Sequence, residues 1–139
     1  MNYVRLVLAA VAATVFDAVY GYLVYGQALA GIFGQYPGVY RPADDMSHMP
    51  VLIAAILVGT LAATYIYAKG YEGGSGVSEG VRFGAAIGIF AGVYFGGVSW
   101  AVLTIGRSLG IALIIAGVVE WFIIGVIIGV IYKPAAAAK

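Results

Sequence analysis

Residues 81–103 read VRFGAAIGIFAGVYFGGVSWAVL, with glycine at positions 84, 88, 92 and 96. Four residues advance an α-helix by about 6 Å and a little more than one turn. Gly84, Gly88, Gly92 and Gly96 therefore fall on a single face, and that face is bare backbone. In water each glycine costs a helix about 1 kcal/mol relative to alanine, so four in register would be a poor way to build a soluble helix. In lipid, apolar side chains gain nothing by leaving water for one another. Helices there associate through close backbone approach, which small residues four apart permit. The stretch predicts a transmembrane helix with a docking groove along it.

The rest of the chain agrees with a membrane setting. Its 139 residues are 63% hydrophobic and 9% charged, with a mean hydropathy of +1.03, where soluble domains carry about 25% charged residues. A net charge of +1 leaves no basic stripe to neutralise phosphates, so nucleic acid is not an expected partner. The absence of cysteine excludes disulfides and thiolate metal sites. Arg5 followed by Leu6 to Ala13 resembles the start of a secretory signal. The apolar run continues past Asp17 to Tyr25, longer than a signal core, and is expected to stay as a span.

Four segments, about 4–29, 50–68, 81–103 and 109–132, are long and apolar enough to cross a hydrocarbon core of about 30 Å. None shows the sustained polar and apolar alternation of barrel strands. The expected fold is a single all-α domain, a four-helix transmembrane bundle. Arg5, Lys69, Arg82, Lys133 and Lys139 flank one side and Arg41 and Arg107 the other. The excess of cations on cytoplasmic flanks then places both termini in the cytoplasm. Residues 31–49, rich in Tyr and Pro, form an outer loop long enough to fold over the mouth. Residues 69–81, with Gly70, Gly73, Gly74, Gly76 and Gly80, are expected to be a mobile inner loop. Val4-Arg5 and Val81-Arg82 open alternate spans, as Tyr67 to Lys69 and Tyr132-Lys133 close the others. Two parallel hairpins would give this echo, and so would shared interfacial anchors.

Small residues recur at Ala9, Ala13 and Gly21, at Ala55, Gly59 and Ala63, and at Gly117, Gly125 and Gly129. Such stripes either close the bundle on itself or seat a partner helix, a lipid or a flat pigment. Trp121 is deep enough to pack against any of these.

Asp17 and Glu120 stand out within the spans. Asp17 lies 12 residues after Arg5 and Glu120 lies 13 before Lys133, which puts both about 18 to 20 Å from the same membrane edge. Ionisable groups at that depth mark sites by default. Tyr94 on the third span and Thr60 on the second are expected at the same level. If they face each other, two carboxyl groups sharing a proton could bind and release protons or a cation; the other readings are protonated acids that hydrogen-bond between helices as structural links, or contact with another subunit.

Other candidate chemistry is sparser. Asp44, Asp45, Met46, His48 and Met49 bring soft and carboxylate ligands into one loop, but without the spacing that defines a metal geometry. The reading adopted is that Met46 and Met49 cap the bundle and the acids are solvated. Ser99 and His48 fall at the same end of their spans, where a nucleophile would need its base within hydrogen-bond reach. Gly73, Gly74 and Gly76 make no phosphate loop, since no Gly-Lys-Ser/Thr follows. No cofactor is expected, beyond room for a bound lipid or pigment.

At Arg41-Pro42 with Met46, Lys69-Gly70-Tyr71-Glu72-Gly73, Glu79-Gly80-Val81-Arg82-Phe83-Gly84 and the closing Ile131-Tyr132-Lys133-Pro134, the chain resembles a group of small bacterial four-helix membrane proteins. The resemblance implies a bacterial four-helix architecture and brings no activity or catalytic residue with it. Glu72, Glu79, Lys69 and Arg82 would make an ionic cluster on the inner loop. With almost no aqueous domain and no complete catalytic constellation, the expected function is a non-catalytic accessory subunit of a larger membrane complex. It would dock through glycine-lined faces onto other integral membrane subunits, or onto a second copy in a homo-oligomer. The alternative is a small proton- or cation-coupled transporter or channel working through Asp17 and Glu120.

Overall fold

The computed structural model describes residues 1–42 and 44–132. Four helical spans are long and apolar enough to cross a membrane: Tyr3–Ala28, Met49–Gly70, Gly76–Val102 and Arg107–Ile131. The first is α1 (Tyr3–Tyr20) continued by a π-helical segment, π1 (Gly21–Ala28), with a short α2 (Ala30–Phe33) beyond it. The second is α3 (Met49–Gly70). The third is α4 (Gly76–Gly88), a second π-helical segment, π2 (Ile89–Phe95), and α5 (Gly96–Val102). The fourth is α6 (Arg107–Ile131). Lys133, Pro134 and Lys139, used in the charge count and the resemblance, lie outside the described residues.

The third span starts at Gly76, five residues earlier than expected. Ser75 caps it, its side chain accepting the Ser78 N–H at 3.2 Å, and satisfies one of the donors a helix start leaves open. Glu79, buried in the first turn, reaches back to accept the Gly74 N–H at 2.8 Å. Gly76 and Gly80 are therefore helical residues and not loop breakers. The inner loop contracts from 69–81 to the turn between Gly70 and Gly76, pinned further by the Tyr71 hydroxyl donating to Gly74 O at 2.6 Å. Arg82 pairs with Glu72 at 2.6 Å and lies 3.7 Å from Glu79. Lys69 stays out of that cluster, with its ammonium 5.6 Å above the Tyr65 ring.

Packing follows the small residues. α1 is bare along Ala9, Ala10 and Ala13, all fully buried, and lies against both α3 and α6. The third span lies along α6. The central pair is therefore α1 with α6, flanked by α3 on one side and the third span on the other. α3 and the third span meet at the end holding the termini, where Tyr67 packs edge-on against Phe83 and Tyr132 with ring centroids 5.4 and 5.9 Å away. Ile124, Ile128 and Leu6 complete the core there.

The glycine groove is filled by α6. A Cβ on Gly84 would strike the Phe122 backbone, one on Gly88 the Val118 carbonyl, and one on Gly92 or Gly96 the backbone at Val118 or Ile114. α6 answers in kind: Gly117 faces Gly92, Gly125 faces Gly84 and Gly129 faces Gly76 and Gly80. Gly59 on α3 lies under the Trp121 ring, where a Cβ would make ordinary contact at 3.9 Å. Gly21 is a different case. A Cβ there would meet the Tyr25 ring of its own helix at 4.0 Å, so it opens π1 and packs against no other helix.

Candidate intramembrane carboxylate site

Glu120 sits near the middle of α6, about 20 Å from one end of the helix and 17 Å from the other. It is 7% exposed, on the same buried face as Ala116, Gly117 and Ile124, and Asp17 on α1 is 8% exposed. What completes the site comes from π1. Its last turn closes through the Leu29 N–H and Val24 O, five residues apart, at 2.8 Å. In an α-helix neighbours on one face are three or four apart; the wider turn makes neighbours of residues five apart. Tyr20 and Tyr25 accordingly stack edge-on at 6.0 Å. The Tyr25 hydroxyl donates to Glu120 Oε2 at 2.9 Å, and the Tyr20 hydroxyl to Ala116 O at 2.9 Å. Asp17, three residues before Tyr20, is within electrostatic reach of Glu120, with no hydrogen bond to it among the described residues.

The same wide turn recurs in π2, where Phe90 and Phe95, again five apart, have centroids 6.1 Å apart. π2 contributes Ala91, Gly92 and Phe95 to an open-sided cavity of about 200 Å³ whose other walls include Tyr25, Ser99, Glu120 and Trp121. Both π segments therefore border one space, with Glu120 in its wall. π-helical turns are rare and cluster at functional sites.

No family model, curated protein or solved structure matches this chain. Its chemistry is read from its own residues. A carboxyl group with one oxygen held by a phenol and a cavity beside it can take up a cation or pass a proton.

Two residues expected at this depth do not face the carboxylates. Tyr94 is 56% exposed and stacks on Phe90 at 5.7 Å with the rings nearly parallel. Counting twelve residues from Arg82 fixes depth and not face: Tyr94 lies midway between Gly92 and Gly96, both packed on α6, and so points away from α6, while Phe95 lines the cavity. Thr60 is fully buried but bonds to α1, its hydroxyl 2.7 Å from that of Thr14. With Thr64, which donates to Thr60 O at 2.7 Å, it ties α1 to α3 and stays apart from the carboxylates. Tyr20 and Tyr25 were not read as site residues from the sequence, Tyr25 being assigned to an outer aromatic belt, and Thr14 and Phe95 were not singled out. The five-residue spacing of Tyr20 and Tyr25, beside Gly21 and Gly26, is the signal that would have found the first two.

Among the described residues no group of three or more His, Asp or Glu side chains is placed to hold a metal. In the long loop Asp44 is exposed, and Met46 and Met49 are 61% and 36% exposed and do not cap the bundle. Asp45 is spent within the loop: it accepts the Ser47 N–H at 3.0 Å and pairs with Arg41 at 3.2 Å. His48 Nδ1 contacts Ser47 Oγ at 2.7 Å, and no hydrogen bond joins His48 to Ser99 among the described residues. The loop does fold back over its own end of the bundle, where the Tyr36 hydroxyl accepts the Gly106 N–H at 2.9 Å just ahead of α6.

The Ser47 hydroxyl and N–H, followed by Arg41, hold the Asp45 carboxyl down at about 2. Its folded value lies below that of an unfolded aspartate, about 3.9. Ionised Asp45 thus favours the folded loop at neutral pH, and this contribution fades as pH falls from about 4 through about 2. A carboxyl NMR titration should show an Asp45 midpoint near 2, and Ser47→Ala should raise it towards an ordinary aspartate. An unmoved midpoint would contradict the assignment.

Proposed function

We propose that this chain is a small proton- or cation-coupled carrier or channel of the bacterial cytoplasmic membrane, with both termini inside and no enzymatic activity. One observation carries the reading: Glu120, buried at mid-span, is oriented by Tyr25 and forms part of a cavity wall between two π segments. Among the described residues no lysine or arginine pairs with Glu120, which leaves the carboxyl group to exchange a mobile counter-ion. Asp17, nearby on α1, supplies a second carboxyl for relay.

The test is flux. Protein reconstituted into liposomes with an internal pH dye should conduct protons when a gradient is imposed. Glu120→Gln that purifies as a folded, monodisperse protein should abolish the flux. An inserted, folded wild-type protein with no flux would overturn the reading.

The accessory-subunit reading keeps one supporting observation of its own. With the glycine faces occupied by α6, a partner subunit would instead meet the exposed aromatic stack of Phe90 and Tyr94 or the exposed Val51, Leu52 and Val58 of α3. Mild-detergent purification that returns the chain at fixed stoichiometry with larger subunits would favour it.

A further inference from the structure

We propose that the cavity beside Glu120 binds a small organic ammonium ion, with Glu120 as its counter-ion and Tyr25, Phe95 and Trp121 as its aromatic walls. This deepens the carrier reading and rests on it for the claim that the ion is carried. The walls decide the ligand class. Glu120 disfavours anions. An inorganic divalent cation requires about six oxygen ligands, whereas the cavity offers one carboxyl group, the Ser99 hydroxyl and the Tyr25 hydroxyl, the last already donating to Glu120 Oε2. A neutral polar solute such as a sugar would bury hydroxyl groups against Ala91, Gly92 and Leu113 without partners, at a cost of about 1 to 3 kcal/mol for each.

A substituted ammonium escapes all three objections. It demands few or no hydrogen bonds and is attracted to aromatic rings through their quadrupoles. A single buried carboxylate can neutralise it. Among the described residues Glu120 Oε1 accepts no hydrogen bond, so one oxygen remains for the ligand while Tyr25 steadies the other. Size narrows the class further. At about 200 Å³ the cavity is smaller than the roughly 300 to 1,000 Å³ of drug-sized sites, which suits a cation with one ring or a few short alkyl groups.

The experiment is isothermal titration of the purified full chain in detergent with phenyltrimethylammonium chloride. Saturable one-to-one binding is expected, abolished by Glu120→Gln. Phe95→Leu, at a position already 59% exposed and therefore tolerant of change, should weaken binding about two- to thirtyfold, the range of one cation–π contact. The neutral carbon analogue, tert-butylbenzene, should not compete. No saturable binding, binding unchanged in Glu120→Gln, or equal competition by tert-butylbenzene would each overturn the proposal. The last would show an apolar niche filled by any hydrocarbon, including lipid. Proton flux in liposomes without phenyltrimethylammonium binding would sink this proposal and leave the carrier reading standing. Binding without flux would do the reverse.

Discussion

Gly84→Ala will destabilise the protein severely, and Gly97→Ala, thirteen residues along the same span, will not. A Cβ at position 84 would fall on the Phe122 carbonyl, with the Phe122 Cα only 3.2 Å away. Overpacking a core costs about 1 to 3 kcal/mol when neighbouring side chains can turn aside. Here the obstacle is backbone inside a helix, so relief requires α4 and α6 to part. Parting them also lifts Gly80 from Gly125 and Gly129, and Gly88 from Val118. We expect a loss at or beyond the top of that range, seen as a large drop in the thermal midpoint in detergent and a broadened elution profile. A Cβ on Gly97 meets nothing within 4 Å, and alanine is the better helix former by up to about 1 kcal/mol. Gly97→Ala should melt at or above the wild type. Equal midpoints for the two variants would mean that α4 and α6 do not meet through their glycines.

That contrast shows what sequence could and could not reveal. The groove was legible because a row of glycines four apart depends on helical periodicity alone; Gly84 and Gly88 lie in α4, and Gly92 in π2 and Gly96 at the start of α5 still meet α6. What fills the groove was not legible. A bare face accepts a helix of the same chain as readily as one from another, and the complementary stripe of Gly117, Gly125 and Gly129 lies on α6 with no sequence mark that the two belong together. The depth of Asp17 and Glu120 followed from counting along unbroken helix, and both are buried in the structure. The same count does not say which face a residue takes, and Tyr94, midway between Gly92 and Gly96, is turned from α6 and exposed. The start of the third span was misread for another reason: Gly73, Gly74 and Gly76 suggested a loop, while Ser75 and Glu79, which cap and anchor a helix there, carried the opposite signal.

The π segment of the first span also yields the sharpest test of the site. Tyr25→Phe should lower proton flux in liposomes by about ten- to a hundredfold while leaving the fold intact. Phenylalanine keeps the ring, so its edge-on packing against Tyr20 survives. It deletes only the hydroxyl that donates to Glu120 Oε2 at 2.9 Å. Hydrogen bonds to charged groups contribute about 1.5 to 3 kcal/mol, and each 1.4 kcal/mol is about a factor of ten, which sets the expected range. Tyr20→Phe is the matched control. It too removes one hydroxyl from the same stack, but that hydroxyl donates to a backbone carbonyl, Ala116 O, at 2.9 Å. Its loss should cost about 1 kcal/mol of stability and change flux by no more than a few-fold. A structural role for both tyrosines would make the two variants behave alike, with matched falls in midpoint and flux. Only if Tyr25 orients the group that exchanges its proton should flux in Tyr25→Phe fall out of proportion to its loss of thermal midpoint, while Tyr20→Phe loses midpoint with flux nearly unchanged.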